Sequence, residues 1–396
     1  MRTKITMREW LSIWCLAGMV SLTSCGTSGK LLSDGSVDLT CDGSMELAYA
    51  TEFSVDYYGD YRLITIKGDQ SYLVVPEGEE LSEEAKQNLL KSFTLASSDR
   101  TVDNLTVLQQ PMDNIYLVST SVMDFFICLD GLDHIRLSGT RENSWYLDEA
   151  IEAMEQGSIL YAGKYSAPDY EMILEQNCDL AMENTMIYHN PEVKEQLENL
   201  GIPVMVEHSS YEAHPLGRLE WIKLYGVLLG KETEATEQYE SWLKELEPVM
   251  EMENTGQTVA FFYITQNKTV NIRKTNDYIA KMIELAGGNY IFSYLDQEEE
   301  NALSTMNIDM EEFYSTAKDA DYLIYNCTID EELHSLDELL QKNALLADFK
   351  AVREGKVYCT GKNFFQETTG MEQFIRELHE ILEGEGEGTL FLKRLE

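Results

Sequence analysis

"YAGKYSAPDYEMILEQNCDLAMENTMIYHNPEVKEQLENLGIPVMV", residues 161–206, reads as a loop, a helix, a strand, a second helix and a second strand. The helices fall at 169–175 and 192–200, the strands at 180–182 and 204–206. Upstream, further strands are expected at 62–67, 71–75, 114–119 and 135–138, and helices at 82–92, 122–129 and 146–155. Strand followed by helix, repeated, predicts an open α/β sheet. A second run of the same kind follows. It has strands at 258–265, 322–325 and 356–359 and helices at 276–286, 310–317, 336–340 and 370–382. Between the two runs, Ala235, Tyr239, Trp242, Leu243, Leu246 and Val249 recur at helical spacing among acids, so 231–252 predicts one helix about 33 Å long. The fold class is α/β, with two open lobes joined by a single long rigid helix. The expected parts are residues 45–230, the helix at 231–254, and residues 255–396.

The chain has 396 residues, 30 Lys plus Arg against 70 Asp plus Glu, and a net charge of −40. A surface this acidic excludes nucleic acid as a partner. It also repels anionic lipid headgroups. At the N-terminus, Arg2, Lys4 and Arg8 precede an apolar run at 10–20 that is about half of what a bilayer span needs. This predicts a secretion signal at 1–24. The ending Leu-Thr-Ser-Cys-Gly at 22–26 resembles the lipobox of bacterial lipoproteins, which implies cleavage before Cys25 and acylation of its thiol. A plain signal peptide with an incidental cysteine is the alternative. Residues 25–44, rich in Gly, Ser, Thr and Asp, read as a flexible tether. Cys41, Cys128, Cys178, Cys327 and Cys359 are scattered, and no CxxC pair marks a zinc or redox motif.

Several stretches together carry a family resemblance. They are residues 161–206, "NDYIAKMIELAGGNYIF" at 276–292 with its double-glycine turn, and "MEEFYSTAKDADYLIY" at 310–325, which repeats the glutamate, helix and strand of the first lobe. From about Tyr49 onward the chain resembles the substrate-binding lipoproteins of ABC importers. The class is the periplasmic-binding-protein type with one rigid inter-lobe helix, which captures ferric siderophores, cobalamin or haem. Asn177-Cys178-Asp179 departs from the Lys-Pro-Asp of many relatives. The resemblance implies a ligand cleft between the lobes, no catalysis and no intrinsic cofactor. It also implies a permease with its ATPase as partner, and a monomer lipid-anchored through Cys25 outside the cytoplasm. A glutamate opening the repeated helix in each lobe implies docking of Glu171 and Glu311 onto permease arginines, with Glu312 competing for the second role. An exposed carboxylate at a helix N-terminus is favoured by the dipole and suited to bidentate arginine pairing.

Ligand contacts are expected from loops at the carboxyl ends of strands: Ser119 and Thr120, Lys164 and Tyr165, Asn184 to His189, Arg273 and Lys274, and Phe364 and Phe365. The aromatics suit a planar or apolar ligand surface, and the scarce cations suit an anionic ferric complex. His189 beside Tyr188 is a candidate ligand for haem iron or cobalt. His208 and His214 lie six apart with Glu207 and Glu212 between them, but lack the i, i+4 spacing that aims two imidazoles at one ion. No metal site is assigned. Arg218 and Glu220 are expected to make local salt bridges on a helix opened by Pro215. A different class of function, a surface hydrolase using paired carboxylates, needs two carboxyls with opposed pKa values, and no pair stands out. Nor is there a G-x-S-x-G, an H-E-x-x-H or a phosphate-binding glycine loop.

Overall fold

A computed structural model describes residues 41–68, 70–79, 81, 105–294, 304–386, 388 and 390–396. The signal segment, Cys25, most of the tether and the helix expected at 82–92 lie outside the described residues.

The first sheet was not anticipated as a separate unit. Strands β1 (Gly43–Ser44), β2 (Phe53–Tyr58), β3 (Tyr61–Ile66), β4 (Gln70–Val75) and β5 (Leu105–Gln109) pair in sequence order, antiparallel except for β4 with β5. The runs at 62–67 and 71–75, expected inside the α/β sheet, are β3 and β4 of this meander. Only a few residues separate them, too short for the crossover that parallel pairing demands.

The next sheet holds β6 (Ile115–Leu117), β7 (Ile135–Ser138), β8 (Leu160–Tyr161), β11 (Leu180–Glu183) and β12 (Val204–Val206), all parallel, in the order β12-β11-β6-β7-β8. A small hairpin, β9 (Gly163–Lys164) with β10 (Ala167–Pro168), interrupts it. Helices α1 (Thr120–Cys128), α2 (Asp148–Glu155), α3 (Tyr170–Glu175) and α4 (Pro191–Asn199) connect the strands. Caps fix where they start: the Asp169 carboxylate accepts from the Met172 N–H of α3, and Pro191 occupies the first turn of α4.

The meander covers the exposed edge of the parallel sheet. Gln70 bonds both the N–H and the carbonyl of Val206 at 3.0 and 3.1 Å, and the Tyr72 hydroxyl donates to Val204 O at 2.9 Å. Side chains thus stand in for the missing neighbour of β12. Two buried carboxylates fasten the approach to β2. Glu220 accepts from the N–H groups of Ala48, Tyr49 and Ala50, and Glu212 from those of Thr51 and Glu52 and from Trp221 Nε1.

After α5 (Pro215–Glu220) and α6 (Ile222–Leu229), Gly230 adopts φ +67 and turns the chain into α7 (Glu232–Met250). At 1.5 Å per residue α7 is about 28 Å long. It buries Ala235, Tyr239, Trp242, Leu246 and Val249 and packs against α6 of one lobe and the last helix of the other.

Among the described residues the second lobe has seven strands: β13 (Thr258–Ile264), β14 (Val270–Arg273), β15 (Asn289–Tyr290), β16 (Thr305–Ile308), β17 (Tyr322–Tyr325), β18 (Val357–Thr360) and β19 (Leu392–Arg394). The order is β16-β14-β13-β17-β18-β19, with β15 also beside β13. Its helices are α8 (Tyr278–Leu285), α9 (Met310–Ala317), α10 (Leu336–Lys342), α11 (Lys350–Glu354) and α12 (Met371–Glu383). Arg273, expected in a loop, ends a strand, because β14 turns straight back on β13 in an antiparallel hairpin. One contiguous apolar core runs from Phe53 through Trp221 and Leu246 to Leu382, so the helix and both lobes share it.

Candidate functional site

A cavity of about 390 Å³ lies between the lobes. The first lobe contributes Ser121 from the opening turn of α1, Ser209 and Ser210 from the turn after β12, and Arg218 of α5. The second contributes Tyr263, Arg273, Tyr278, Ile329, Phe364 and Phe365, among others. The wall therefore combines short hydroxyls on one side with aromatic rings on the other, and one guanidinium on each.

Arg218 is the most constrained of these groups. Its Nε donates to Glu212 O at 3.0 Å and its Nη2 to Ser210 O at 2.6 Å, and its guanidinium lies 3.5 Å from the centre of the Tyr278 ring, across the lobe boundary. Burial pushes its pKa down, with Arg273 adding to that and Tyr278, Asp277 and Glu207 pulling the other way. Among the described residues it makes no ion pair with a carboxylate, although acids outnumber bases by more than two to one in this chain. Of the local salt bridges expected for Arg218 and Glu220, that of Arg218 does not form among the described residues, and Glu220, two residues on, does not face it. Glu220 makes its local salt bridge, with Lys223 at 2.8 Å.

Arg273, at the end of β14, reaches Asp277 Oδ2 at 3.5 Å, with its guanidinium 5.3 Å from the Phe365 ring and 5.8 Å from that of Phe261. Phe364 is buried among Phe261, Phe374 and Phe391, and Phe365 packs tilted beside it at 5.3 Å between centroids. Beneath the serine turn, buried Glu207 accepts from Ser119 Oγ at 2.6 Å and from Ser209 N at 2.8 Å. Ser119 thus positions the turn from behind, with Thr120 next to it as the first residue of α1.

Beside the cavity the lobes bond directly. Gln366 accepts from Tyr146 N at 2.8 Å and donates to Ser144 O at 2.9 Å. Thr368 Oγ1 donates to Ser121 O at 2.8 Å, and Thr369 N to Asp124 Oδ2 at 2.7 Å. Burial pushes the Asp124 carboxyl up to about 6, with the Thr369 bonds pulling the other way.

Of the residues expected at the site, Arg273, Phe364 and Phe365 line the cavity. Lys274 does not; its N–H bonds Ser304 O. Lys164 and Tyr165 sit on the β9–β10 hairpin, which folds back on its own lobe: Tyr116 donates to Gly163 O, and Tyr165 packs on the first-lobe core while Lys164 is exposed. Asn184 caps the turn Thr185–His189 by accepting from Met186 N, which leaves His189 exposed at the far end. His208 bonds the Tyr188 hydroxyl through Nε2 at 2.8 Å, whereas His214 caps α5 by accepting from Leu216 N and is pushed down to about 4 by burial. The two rings serve different partners, and no cluster of metal-ligating side chains occurs among the described residues. Glu171 and Glu311 are both exposed in the first turns of α3 and α9, as is Glu312, and neither Glu171 nor Glu311 has an ion-pair partner among the described residues.

Arg218, Tyr278 and Ile329 were not expected at the cavity. Arg218 left one signal, a cation whose only close acid in sequence is two residues away. Tyr278 left none, since its exposure to the cleft depends on how α8 meets α5.

A sequence profile of the periplasmic binding proteins matches residues 119–364. An uncharacterized lipoprotein of Methanocaldococcus jannaschii is 24% identical over 382 residues, covering 91% of this chain and 89% of its own. Among solved structures, a periplasmic haem-binding protein of Pseudomonas aeruginosa superposes with a TM-score of 0.56 at 15% identity, over 72% of this chain and 98% of that one. An ABC-type Fe3+-hydroxamate transport protein of Saccharomonospora viridis does so with a TM-score of 0.52 at 19% identity, over 69% and 94%. At these identities the superpositions speak for the two-lobed fold, and the profile, which spans both lobes and the helix between them, speaks for descent. This chain belongs to the periplasmic binding protein family.

Proposed function

We propose that the protein is the substrate-binding lipoprotein of an ABC importer and that its cleft captures an iron(III) complex, a ferric siderophore. One observation carries the reading. In a chain with a net charge of −40, the cavity presents Arg218, unpaired with any carboxylate among the described residues, and Arg273 beside an aromatic wall. Such a wall favours an anionic ligand with apolar surface. It weighs against cobalamin. Haem is the second reading, favoured by the aromatic pair Phe364 and Phe365 and by the haem-binding protein that shares the fold.

On this reading Cys25 carries the lipid outside the cytoplasm, residues 25–44 form the tether, and the lobes are 45–230 and 255–396 with the helix 231–254 between them. Glu171 and Glu311 are the docking carboxylates, exposed and available for permease arginines. The protein acts as a monomer and binds no nucleic acid.

A thermal-shift panel of ferric siderophores, haem, cobalamin and free metal ions on the purified protein tests the reading. Binding to the folded state alone stabilises by RT ln(1 + [L]/Kd), about 2.7 kcal/mol at a hundredfold excess over Kd. Ferric siderophores are expected to raise the Tm most. Turnover of a candidate ligand into product, as a paired-carboxylate hydrolase would give, or stabilisation by cobalamin alone, contradicts it.

A further inference from the structure

Two of the scattered cysteines meet in the second lobe. Cys359 lies in β18 opposite Tyr325 of the parallel neighbour β17, and Cys327 follows β17 by two residues. Both are fully buried. A single residue touches both sulfurs: Leu333 N–H donates to Cys327 Sγ at 3.4 Å, and Cys359 Sγ donates to Leu333 O at 3.5 Å. The interaction between the two thiols lowers the pKa of Cys327 and raises that of Cys359, which favours Cys327 as the sulfur that carries charge. Cys41, Cys128 and Cys178 have no such partner among the described residues. The chain between Cys327 and Leu333 includes Ile329, on the cavity wall, and Asp330, which accepts from Tyr325 and Lys342.

We propose that Cys327 and Cys359 are an oxidative modification site, where a low-molecular-weight disulfide converts the two thiols to an intrachain disulfide that ties the cavity-wall segment to β18. The Cys327 thiolate attacks one sulfur of the oxidant and expels a thiolate, leaving a mixed disulfide. Cys359, losing its proton to that leaving thiolate, attacks Cys327 Sγ and expels the second thiolate, which takes up the proton Cys327 released. The two protein thiols lose two electrons and two protons, and the S–S bond of the oxidant is reduced to two thiols. An exported chain meets such oxidants; in this respect the inference rests on the exported location, whereas the chemistry does not. Because Leu333 covers both sulfurs, exchange proceeds through opening of the segment around it, and mild urea accelerates it.

The test incubates the full chain with oxidised glutathione in mild urea, blocks remaining thiols with N-ethylmaleimide after denaturation, and maps the peptides by mass. The expected result is one crosslink, Cys327 to Cys359, with two hydrogens lost, reversed by dithiothreitol and accompanied by a Tm several degrees higher once the urea is removed. Cys128→Ser keeps the crosslink, and Cys359→Ser abolishes it. Recovery of Cys327 and Cys359 as separate maleimide adducts, or as persistent mixed disulfides with glutathione, overturns the proposal. Should Cys359→Ser fail to fold, the wild-type map decides alone. No ligand enters the readout, so its failure leaves the importer reading standing.

Discussion

The two walls of the cleft are built by different physics. On the first lobe, hydroxyls and a guanidinium are held by hydrogen bonds: Glu207 fixes Ser119 and Ser209, and main-chain carbonyls hold Arg218. On the second, Phe364 is part of the core, Phe365 packs tilted beside it, and Arg273 lies over the Phe365 ring. The first wall can be altered with little loss of packing, whereas the second cannot.

Phe364→Ala should break this contrast most visibly. Removing a buried ring from the core costs about 3–5 kcal/mol, read as a loss of denaturant midpoint, while Phe365→Ala, partly exposed, costs far less and shows mainly in affinity. Next in size is Arg218→Ala. A hydrogen bond to a charged group contributes about 1.5–3 kcal/mol, so the affinity for an anionic ligand should fall roughly 10- to 100-fold by calorimetry. Arg273→Ala should lose less, because Asp277 already engages that guanidinium.

The lobe-to-lobe contact yields a pH dependence. Asp124, about 6 when folded against an ordinary value near 4, binds its proton more tightly in the native state, so stability falls as pH rises from about 4 to 6 and the cost is complete above that. Asp124→Asn should flatten this slope, of at most about 1.4 kcal/mol per pH unit, in melts at several pH values. Glu183 sharpens the point on the first lobe. Fully buried at the end of β11 with both carboxyl oxygens unpartnered, it is pushed up to about 8 by burial. Stability should fall between about 4.5 and 8, and Glu183→Gln should gain on the wild type progressively across that window, with the gain complete above about pH 8.

Much of the fold was legible because its signals are local. Helical spacing marked α7, and the Asp-capped, glutamate-bearing helices α3 and α9 marked the repeat. The meander hid because β3 and β4 read equally well as strands of the α/β sheet; only Gln70 and Tyr72 grasping β12 shows where they belong. At the site, Arg273, Phe364 and Phe365 could be found as rare cations and paired aromatics at strand ends. Arg218 and Tyr278 could not, since their meeting at 3.5 Å is a property of two lobes brought together. Lys164 and His189 stand at plausible loops, but the local hairpin and cap direct them elsewhere.

The central claim is that this cleft holds an anionic iron complex between its two arginines. Calorimetric titration of a ferric siderophore into the wild type and into the Arg218→Ala, Arg273→Ala double variant tests it most directly. The account predicts one saturable site per chain in the wild type and at least a tenfold loss in the variant at a temperature where both proteins are folded. Equal affinity in both proteins would contradict it.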